Sequence, residues 1–152
     1  MSKQIVFSFP DHDVSAAAEL LEDVAPETCR FVWDLLPLEV MPLHSMYCGP
    51  QIFGLLDPAV SLKSENQVHL PLPGEIVYLY QPGGVYVNTP EPYAEIAITY
   101  GRNVKIQGEG NVPAFASLFA RFVGDWSAFE AECKRLRREG PSLLRIERGN
   151  SQ

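Results

Sequence analysis

The sequence predicts one mainly β domain, a closed β-barrel with two helices over its openings. Three observations predict this fold class. Short stretches alternate between apolar and polar residues, as strands do. Most of the 13 prolines and 11 glycines fall between residues 37 and 113 and divide that part of the chain into short pieces. Only two stretches have helical spacing, and the 152 residues (1–152) contain no linker or repeat, which favours a single domain.

The first predicted element is a strand over residues 4–9, because Ile5, Phe7 and Phe9 alternate with more polar neighbours. Pro10 and the acidic cluster behind it end this strand. Residues 15–22 are rich in Ala, Leu and Glu. Their local composition leaves a short helical turn and a strand as open alternatives.

A helix is predicted over residues 27–36, directly after Pro26. Proline suits the first position of a helix, where its missing N–H would be unpaired anyway. The predicted apolar stripe of this helix consists of Phe31, Leu35 and either Cys29 or Val32.

Four further elements follow in the second half of the chain. Alternating residues predict strands over 75–80, 93–100 and 143–147. A second helix is predicted over residues 127–139, where a glycine and a proline directly after it act as stop signals. Its inward-facing side chains are predicted to be Phe129, Cys133 and Leu136.

Composition excludes several classes of function. The formal net charge of −7 would repel a phosphate backbone, and the basic residues between 134 and 138 alternate with glutamates, so we expect no nucleic-acid partner. No apolar run is long enough to cross a membrane, and the first nine residues lack the build of a signal peptide, which predicts a cytoplasmic location. The three cysteines and three histidines are scattered, so we expect no metal site and no cofactor.

Five segments in chain order resemble the cyclophilins. They are residues 19–36, with Asp-x-x-Pro-x-Thr leading into the first helix, Leu43-His44, 74–78, 94–99 and 118–124. The resemblance implies a cyclophilin-like barrel, and it implies that residues 15–22 form a strand. The chain is also similar to a group of bacterial proteins with cyclophilin-like folds, whose pattern includes Gly-x-Ile-x-Tyr, Pro-Gly-Gly and Tyr-Gly.

The sequence departs from the cyclophilins at the residues of their catalytic site. Ser45 stands where cyclophilins have the arginine that stabilises the twisting prolyl amide. Glu95 replaces a glutamine, Ala97 replaces a phenylalanine of the proline pocket, and Ala116 replaces a histidine. Loss of the charged donor predicts that prolyl isomerase activity is absent.

The altered groove predicts a small-molecule site. Glu95 and Ala97 alternate with Ile96 and Ile98, which we expect to face the core, so Glu95 is expected in the groove together with His44. A histidine and a glutamate that meet in a concave site can act as acid and base, and both are therefore candidate catalytic residues. The candidate substrate-binding residues are Ser45, Tyr47, Tyr78, Ala97, Tyr100 and Asn111.

Several alternatives remain open at the level of sequence. The pocket either only binds its ligand or also catalyses a reaction on it. The alternative function is a non-catalytic module that binds a peptide or a protein. Residual isomerase activity would need Arg102 or Arg121 to reach the groove. His44 is equally compatible with a core position and Glu95 with an arginine partner. The expected partner is a small molecule, and the sequence is compatible with a homo-oligomer.

Overall fold

The computed structural model describes residues 2–150, which form ten strands and two α-helices. The strands are β1 (Gln4–Phe9), β2 (Val14–Leu20), β3 (Leu38–Val40), β4 (Leu43–His44), β5 (Gln51–Leu56), β6 (Gln67–Val68), β7 (Glu75–Gln81), β8 (Tyr93–Thr99), β9 (Ala116–Phe122) and β10 (Leu144–Arg148). The helices are α1 (Pro26–Leu35) and α2 (Ser127–Glu139), and two short 3-10 turns cover Pro10–His12 and Glu109–Asn111.

All ten strands belong to one antiparallel sheet in the order β3-β10-β1-β2-β9-β7-β8-β5-β4, with β6 paired to β9 beside this path. The sheet curls through 289° and stays open. The prediction of a mainly β fold with two helices is confirmed, and the prediction of a closed barrel is wrong. The two end strands, β3 and β4, have only three and two residues, so each offers few backbone groups with which a closing ladder could form.

The two faces of the sheet carry different apolar clusters. The first face, with Phe7, Ile52 and Ile98, packs against both helices and forms the main core. The second face carries a smaller cluster that includes Val77 and Ala97. Strand β8 contributes to both faces because its side chains alternate. Ile96 and Ile98 face the main core, as the sequence predicted.

Strand β2 decides the open question about residues 15–22, since the chain from Val14 to Leu20 is extended and pairs with β1 and β9. Local composition favours a helix weakly, but Ala16, Ala18 and Leu20 alternate into the main core. Pairing with two neighbouring strands and burial of one face outweigh a weak helical propensity.

Helix α1 begins at Pro26, one residue before the predicted range, and the side that it buries matches the prediction in part, with Phe31 half-buried against the main core. Its buried residues are Thr28, Cys29 and Val32, whereas Leu35 is 38% exposed. Ala25 precedes the helix and has no side-chain oxygen to cap it. The carboxylate of Glu65 supplies this cap from another segment and accepts hydrogen bonds from the Glu27 and Thr28 backbone N–H groups and from the Thr28 hydroxyl.

Helix α2 matches its prediction in bounds and in buried side chains, which are Phe129, Cys133 and Leu136. Three phenylalanines, Phe7, Phe122 and Phe129, pack edge to face between this helix and the sheet. Among residues 2–150, neither helix is long and apolar enough to cross a membrane.

Candidate functional site

A cavity of about 560 Å³ lies on the second face of the sheet, at the end where β8, β5 and β4 are neighbours. This volume is in the range of small-molecule sites in proteins. The strand residues that border the cavity are Leu43, His44, Gln51, Phe53, Leu55, Leu79, Tyr93 and Glu95. We call it the Glu95 cavity.

Three connecting segments, 45–48, 86–89 and 106–109, complete the wall of the Glu95 cavity. Side chains tie them together. The Gln107 amide donates a hydrogen bond of 2.6 Å to the Tyr47 carbonyl, and the Cys48 thiol donates to the Gln107 carbonyl at 3.3 Å. The Asn88 amide donates to the Glu109 carboxylate at 2.7 Å. The wall is therefore preorganised by contacts between segments that are distant in the sequence.

Glu95 occupies the middle of β8 and faces the cavity between Leu55 of β5 and Leu79 of β7, its partners in the two ladders. It forms no hydrogen bond or ion pair with any residue of the described chain, 2–150. Burial raises the pKa of its carboxyl from 4.5 to about 8. Glu95 is half-buried, so its carboxyl can still be reached by a ligand that supplies a hydrogen-bond partner.

Aromatic side chains surround this carboxyl. Phe53, Tyr86 and Tyr93 border the cavity, and Tyr86 lies against Gly108 so closely that a Cβ built there would be 2.1 Å from the ring. Burial and the neighbouring Glu95 raise the pKa of the Tyr93 hydroxyl. The residues that border the cavity include two glutamates and no lysine or arginine. The site therefore favours a neutral or cationic molecule with a planar apolar body.

Two more polar side chains lie at the far end of the same face. Gln51 of β5 pairs with Thr99 of β8, and both side chains are buried. The Gln51 amide nitrogen and the Thr99 hydroxyl form no hydrogen bond with any residue between 2 and 150. Gln51 borders the Glu95 cavity.

His44 borders the cavity, but its imidazole is engaged elsewhere. Nδ1 lies 2.8 Å from the Ser45 carbonyl and Nε2 lies 2.6 Å from the Tyr100 hydroxyl. These partners define one tautomer, in which Nδ1–H donates to the carbonyl and Nε2 accepts from the tyrosine. His44 also pairs with Ile52, whose side chain lies in the main core, and alternation places the imidazole on that face. His44 and Glu95 thus border the same cavity, His44 with both ring nitrogens hydrogen-bonded, and their action as an acid–base pair stays a prediction.

The remaining candidate residues divide into two groups. Ser45 and Tyr47 border the cavity, and the Ser45 hydroxyl accepts a hydrogen bond from the Cys48 N–H at 3.0 Å. The other four expected binding residues are not among those that border the cavity: Tyr78, Ala97, Tyr100 and Asn111.

Tyr78 faces the main core and donates a hydrogen bond to the Val60 carbonyl. Tyr100 faces the same core and bonds to His44. Ala97 is buried in the second cluster, below the surface. Asn111 is exposed at the end of a 3-10 turn, with φ of +59°. None of these four residues borders the Glu95 cavity, and the expectation that they contact a ligand stays a prediction.

Sequence reasoning missed several residues of the site. Tyr93 carried a usable signal, because it lies two positions before Glu95 and so shares its face. Gln51 carried a weaker one in the alternation of β5, a strand that Pro50 and Gly54 obscured. Tyr86 lies in a connecting segment, and nothing local in the sequence indicates that it reaches the cavity.

A metal-binding arrangement is absent from the part of the chain that the structure describes, since no three His, Cys, Asp or Glu side chains cluster there. Cys29 and Cys133 are buried in the main core, and burial raises the pKa of the Cys29 thiol to about 12. Cys48 is half-buried beside the cavity. The chemistry available at the site is that of two carboxyls, one imidazole, one thiol, neutral hydrogen-bonding groups and aromatic rings.

Comparison with known proteins identifies the family and supports the fold. A family model described as "Protein of unknown function (DUF3830)" matches residues 7–147. The structure of McbB in complex with tryptophan is similar, with a TM-score of 0.74 and 19% identity over 97% of this chain and 45% of the McbB chain. The hypothetical protein AF2241 from Archaeoglobus fulgidus matches with a TM-score of 0.59 and 18% identity over 97% of this chain and 95% of its own. No curated protein matches.

This chain spans less than half of McbB, and identities of 19% and 18% show a common fold alone. These matches do not confirm the likeness to cyclophilins, which stays a prediction.

Proposed function

The chain belongs to the DUF3830 family of proteins of unknown function, and from the Glu95 cavity we propose that it binds a small aromatic amine. The observation that carries this proposal is the Glu95 carboxyl, which faces an aromatic-lined cavity without a partner in the described chain. An ammonium group is the partner that such a carboxyl lacks. A charge-assisted hydrogen bond in surroundings of low polarity is stronger than one in water.

The charge balance of the cavity favours the same class of ligand. Glu95 and Glu109 border it, and no lysine or arginine does. A carboxylate group on the ligand would meet like charge and would have no cation to pair with, which costs free energy. The aromatic rings of Phe53, Tyr86 and Tyr93 offer faces to a planar apolar body and to a cation.

The McbB structure holds tryptophan, a molecule with an indole ring and an ammonium group. The similarity to McbB supports the choice of indole probes. The acidic cavity supports tryptamine over tryptophan, because tryptamine has the ammonium without the carboxylate. Acid–base catalysis by Glu95 stays a prediction beyond the binding proposed here.

A second candidate function is peptide binding, as in a cyclophilin-like groove. Three apolar side chains at the cavity border are exposed: Met46 by 83%, Leu55 by 51% and Leu43 by 46%. They lie beside β4, whose outer edge is unpaired in the sheet path. An extended peptide can add to such an edge and place side chains on an apolar border.

Isothermal titration calorimetry tests the proposal with tryptamine, L-tryptophan and 3-methylindole, which differ in charged groups on one ring system. The proteins are the wild type, Glu95→Gln and the control Glu91→Gln, whose exposed side chain is not among those that border the cavity. We expect tryptamine to bind the wild type and the control at least tenfold more tightly than Glu95→Gln. L-Tryptophan and 3-methylindole should bind more weakly than tryptamine.

Tryptamine binding that is equal in the wild type and Glu95→Gln would refute the proposal, and so would an absence of tryptamine binding. If, instead, hydrophobic decapeptides bound the wild type and Leu43→Asp abolished that binding, the peptide function would take precedence.

A further inference from the structure

The second polar feature of the cavity is the pair of buried side chains at its far end. Gln51 is 2% exposed and Thr99 is fully buried, and strand pairing places them opposite each other. Each retains one polar atom that has no hydrogen-bond partner in the chain from 2 to 150. Buried polar groups are nearly always hydrogen-bonded in folded proteins, and two unpaired neighbours, one of which (Gln51) borders a cavity, are therefore exceptional.

The pair lies at a defined distance from Glu95. Thr99 is four residues further along β8 on the same face, so the two Cα atoms are about 13 Å apart at about 3.3 Å per residue. The Gln51 and Glu95 side chains both border the cavity. Phe53 lies between Gln51 and Leu55 on the same face of β5 and borders the cavity as well. An aromatic ring can occupy the space beside Phe53, between the two polar ends.

We propose that Gln51, backed by the buried Thr99 opposite it in the β5–β8 ladder, forms a second polar subsite, which binds a neutral carboxamide or carbonyl group at the end of the ligand that is remote from Glu95. This inference rests on the function proposed above and names the ligand class more closely. The ligand is an aromatic amine with an ammonium group for Glu95, a planar body for the aromatic wall and a carboxamide for Gln51.

The chemistry of the subsite selects a neutral group. Gln51 donates through its amide nitrogen, and the Thr99 hydroxyl donates or accepts. Neither carries charge, and no lysine or arginine borders the cavity. A carboxylate at this end would lose its hydration without gaining a cation, whereas a carboxamide exchanges neutral hydrogen bonds with the Gln51 side chain.

The test compares tryptamine with 5-carboxamidotryptamine, which carries a carboxamide on the ring at the end opposite the ammonium. Calorimetry measures both dissociation constants for the wild type, Gln51→Met, Thr99→Val and Glu95→Gln. We expect the wild type to prefer the carboxamide about tenfold. Gln51→Met should lose this preference, so that its dissociation constants for the two amines become equal, while Glu95→Gln should bind both amines weakly.

Equal wild-type affinity for the two amines would overturn the subsite while leaving the proposed function in place. A preference that persists in Gln51→Met would overturn it as well. If the wild type bound neither amine, that result would instead contradict the proposed function itself.

Folding is checked by the thermal unfolding midpoint of each variant. If Gln51→Met does not fold, Thr99→Val decides, because valine keeps the shape of threonine and removes only the hydroxyl. We expect Thr99→Val to unfold at a temperature no lower than the wild type, since it removes an unpaired buried polar group. A lower midpoint, together with an unchanged preference for the carboxamide, would assign Thr99 to the fold and overturn its part in the subsite.

Discussion

The hydroxyl of Tyr100 lies 2.6 Å from Nε2 of His44, on the face of the sheet opposite the Glu95 carboxyl. With its other ring nitrogen at the Ser45 carbonyl, the imidazole has partners on both sides. We therefore expect His44 to hold the short strand β4 against the core and Glu95 to contact the ligand. This expected separation of roles differs from the catalytic pair that the sequence predicts.

Tyr100→Phe tests this separation. The substitution removes the hydroxyl that His44 accepts from and leaves the ring in the core. We expect a loss of about 1 kcal/mol in the free energy of unfolding, which is the usual effect of one buried hydrogen bond. Tryptamine affinity should change less than twofold. Urea denaturation and calorimetry measure both quantities, and a large loss of affinity without a loss of stability would place His44 in the site.

The raised pKa of Glu95 predicts a pH-dependent stability with a defined sign. In the unfolded chain this carboxyl ionises near 4.5, whereas burial raises its pKa to about 8 in the folded state. Between these pH values the folded state binds more protons than the unfolded state, so the free energy of unfolding falls as pH rises. The slope that Glu95 contributes approaches about 1.4 kcal/mol per pH unit.

Glu95→Gln should remove that contribution. The difference in unfolding free energy between wild type and variant, measured by urea denaturation from pH 5 to 9, should move steadily in favour of the variant and level off above pH 8. If the difference in unfolding free energy between wild type and Glu95→Gln did not change from pH 5 to 9, Glu95 would be ionised at neutral pH.

Glu65 predicts a stability effect of the opposite sign. Burial alone would raise the pKa of this carboxyl, but hydrogen bonds from the Thr28 and Glu27 N–H groups and the Thr28 hydroxyl outweigh it and lower the pKa below 4.5. Its stabilisation is present above pH 4.5 and is lost as pH falls through the folded-state pKa. Glu65→Ala leaves three donors unpaired at the start of α1 and should cost about 3 kcal/mol near pH 7.

Glu147→Ala is the matched control, because its carboxylate is exposed at the surface. Urea denaturation at pH 7 and pH 3 measures both variants. If Glu65→Ala were as stable as Glu147→Ala at pH 7, the proposed cap of α1 would be refuted.

The fold was predictable where local spacing sufficed. Strands β1 and β8 and helix α2 carry strong periodic patterns, and the structure matches them. The open sheet was not predictable, since closure depends on whether β3 and β4 meet at the two ends of a path that spans the whole chain. No local pattern in the sequence encodes the distance between β3 and β4.

The same reasoning explains the outcome at the site. Period-two alternation placed Glu95 on the face opposite Ile96 and Ile98. The face of His44 depends on the register between β4 and β5, which only the folded sheet defines. Tyr86 reaches the cavity through a connecting segment, and Gln51 matters because it lacks a partner, a property that only the structure reveals.

Gly108→Ala tests the aromatic wall. A Cβ at this position would lie 2.1 Å from the Tyr86 ring, so the ring must move. Gly108 has φ of −105°, which any residue adopts, and the substitution therefore acts through the clash. We expect tryptamine affinity to fall about tenfold with little loss of stability. Tyr86→Phe keeps the ring and serves as the control. If Gly108→Ala bound tryptamine as tightly as the wild type does, the Tyr86 ring would not be part of the binding wall.

The most direct test of the central claim is the proton balance of tryptamine binding, measured at pH 7 by calorimetry in two buffers of different ionisation enthalpy. An empty site whose carboxyl has a pKa of about 8 is mostly protonated at pH 7. Pairing with an ammonium group stabilises the carboxylate, so binding should release close to one proton, at most about one per site. Glu95→Gln should release none. Tryptamine binding to the wild type without proton release would contradict the claim that Glu95 receives the amine.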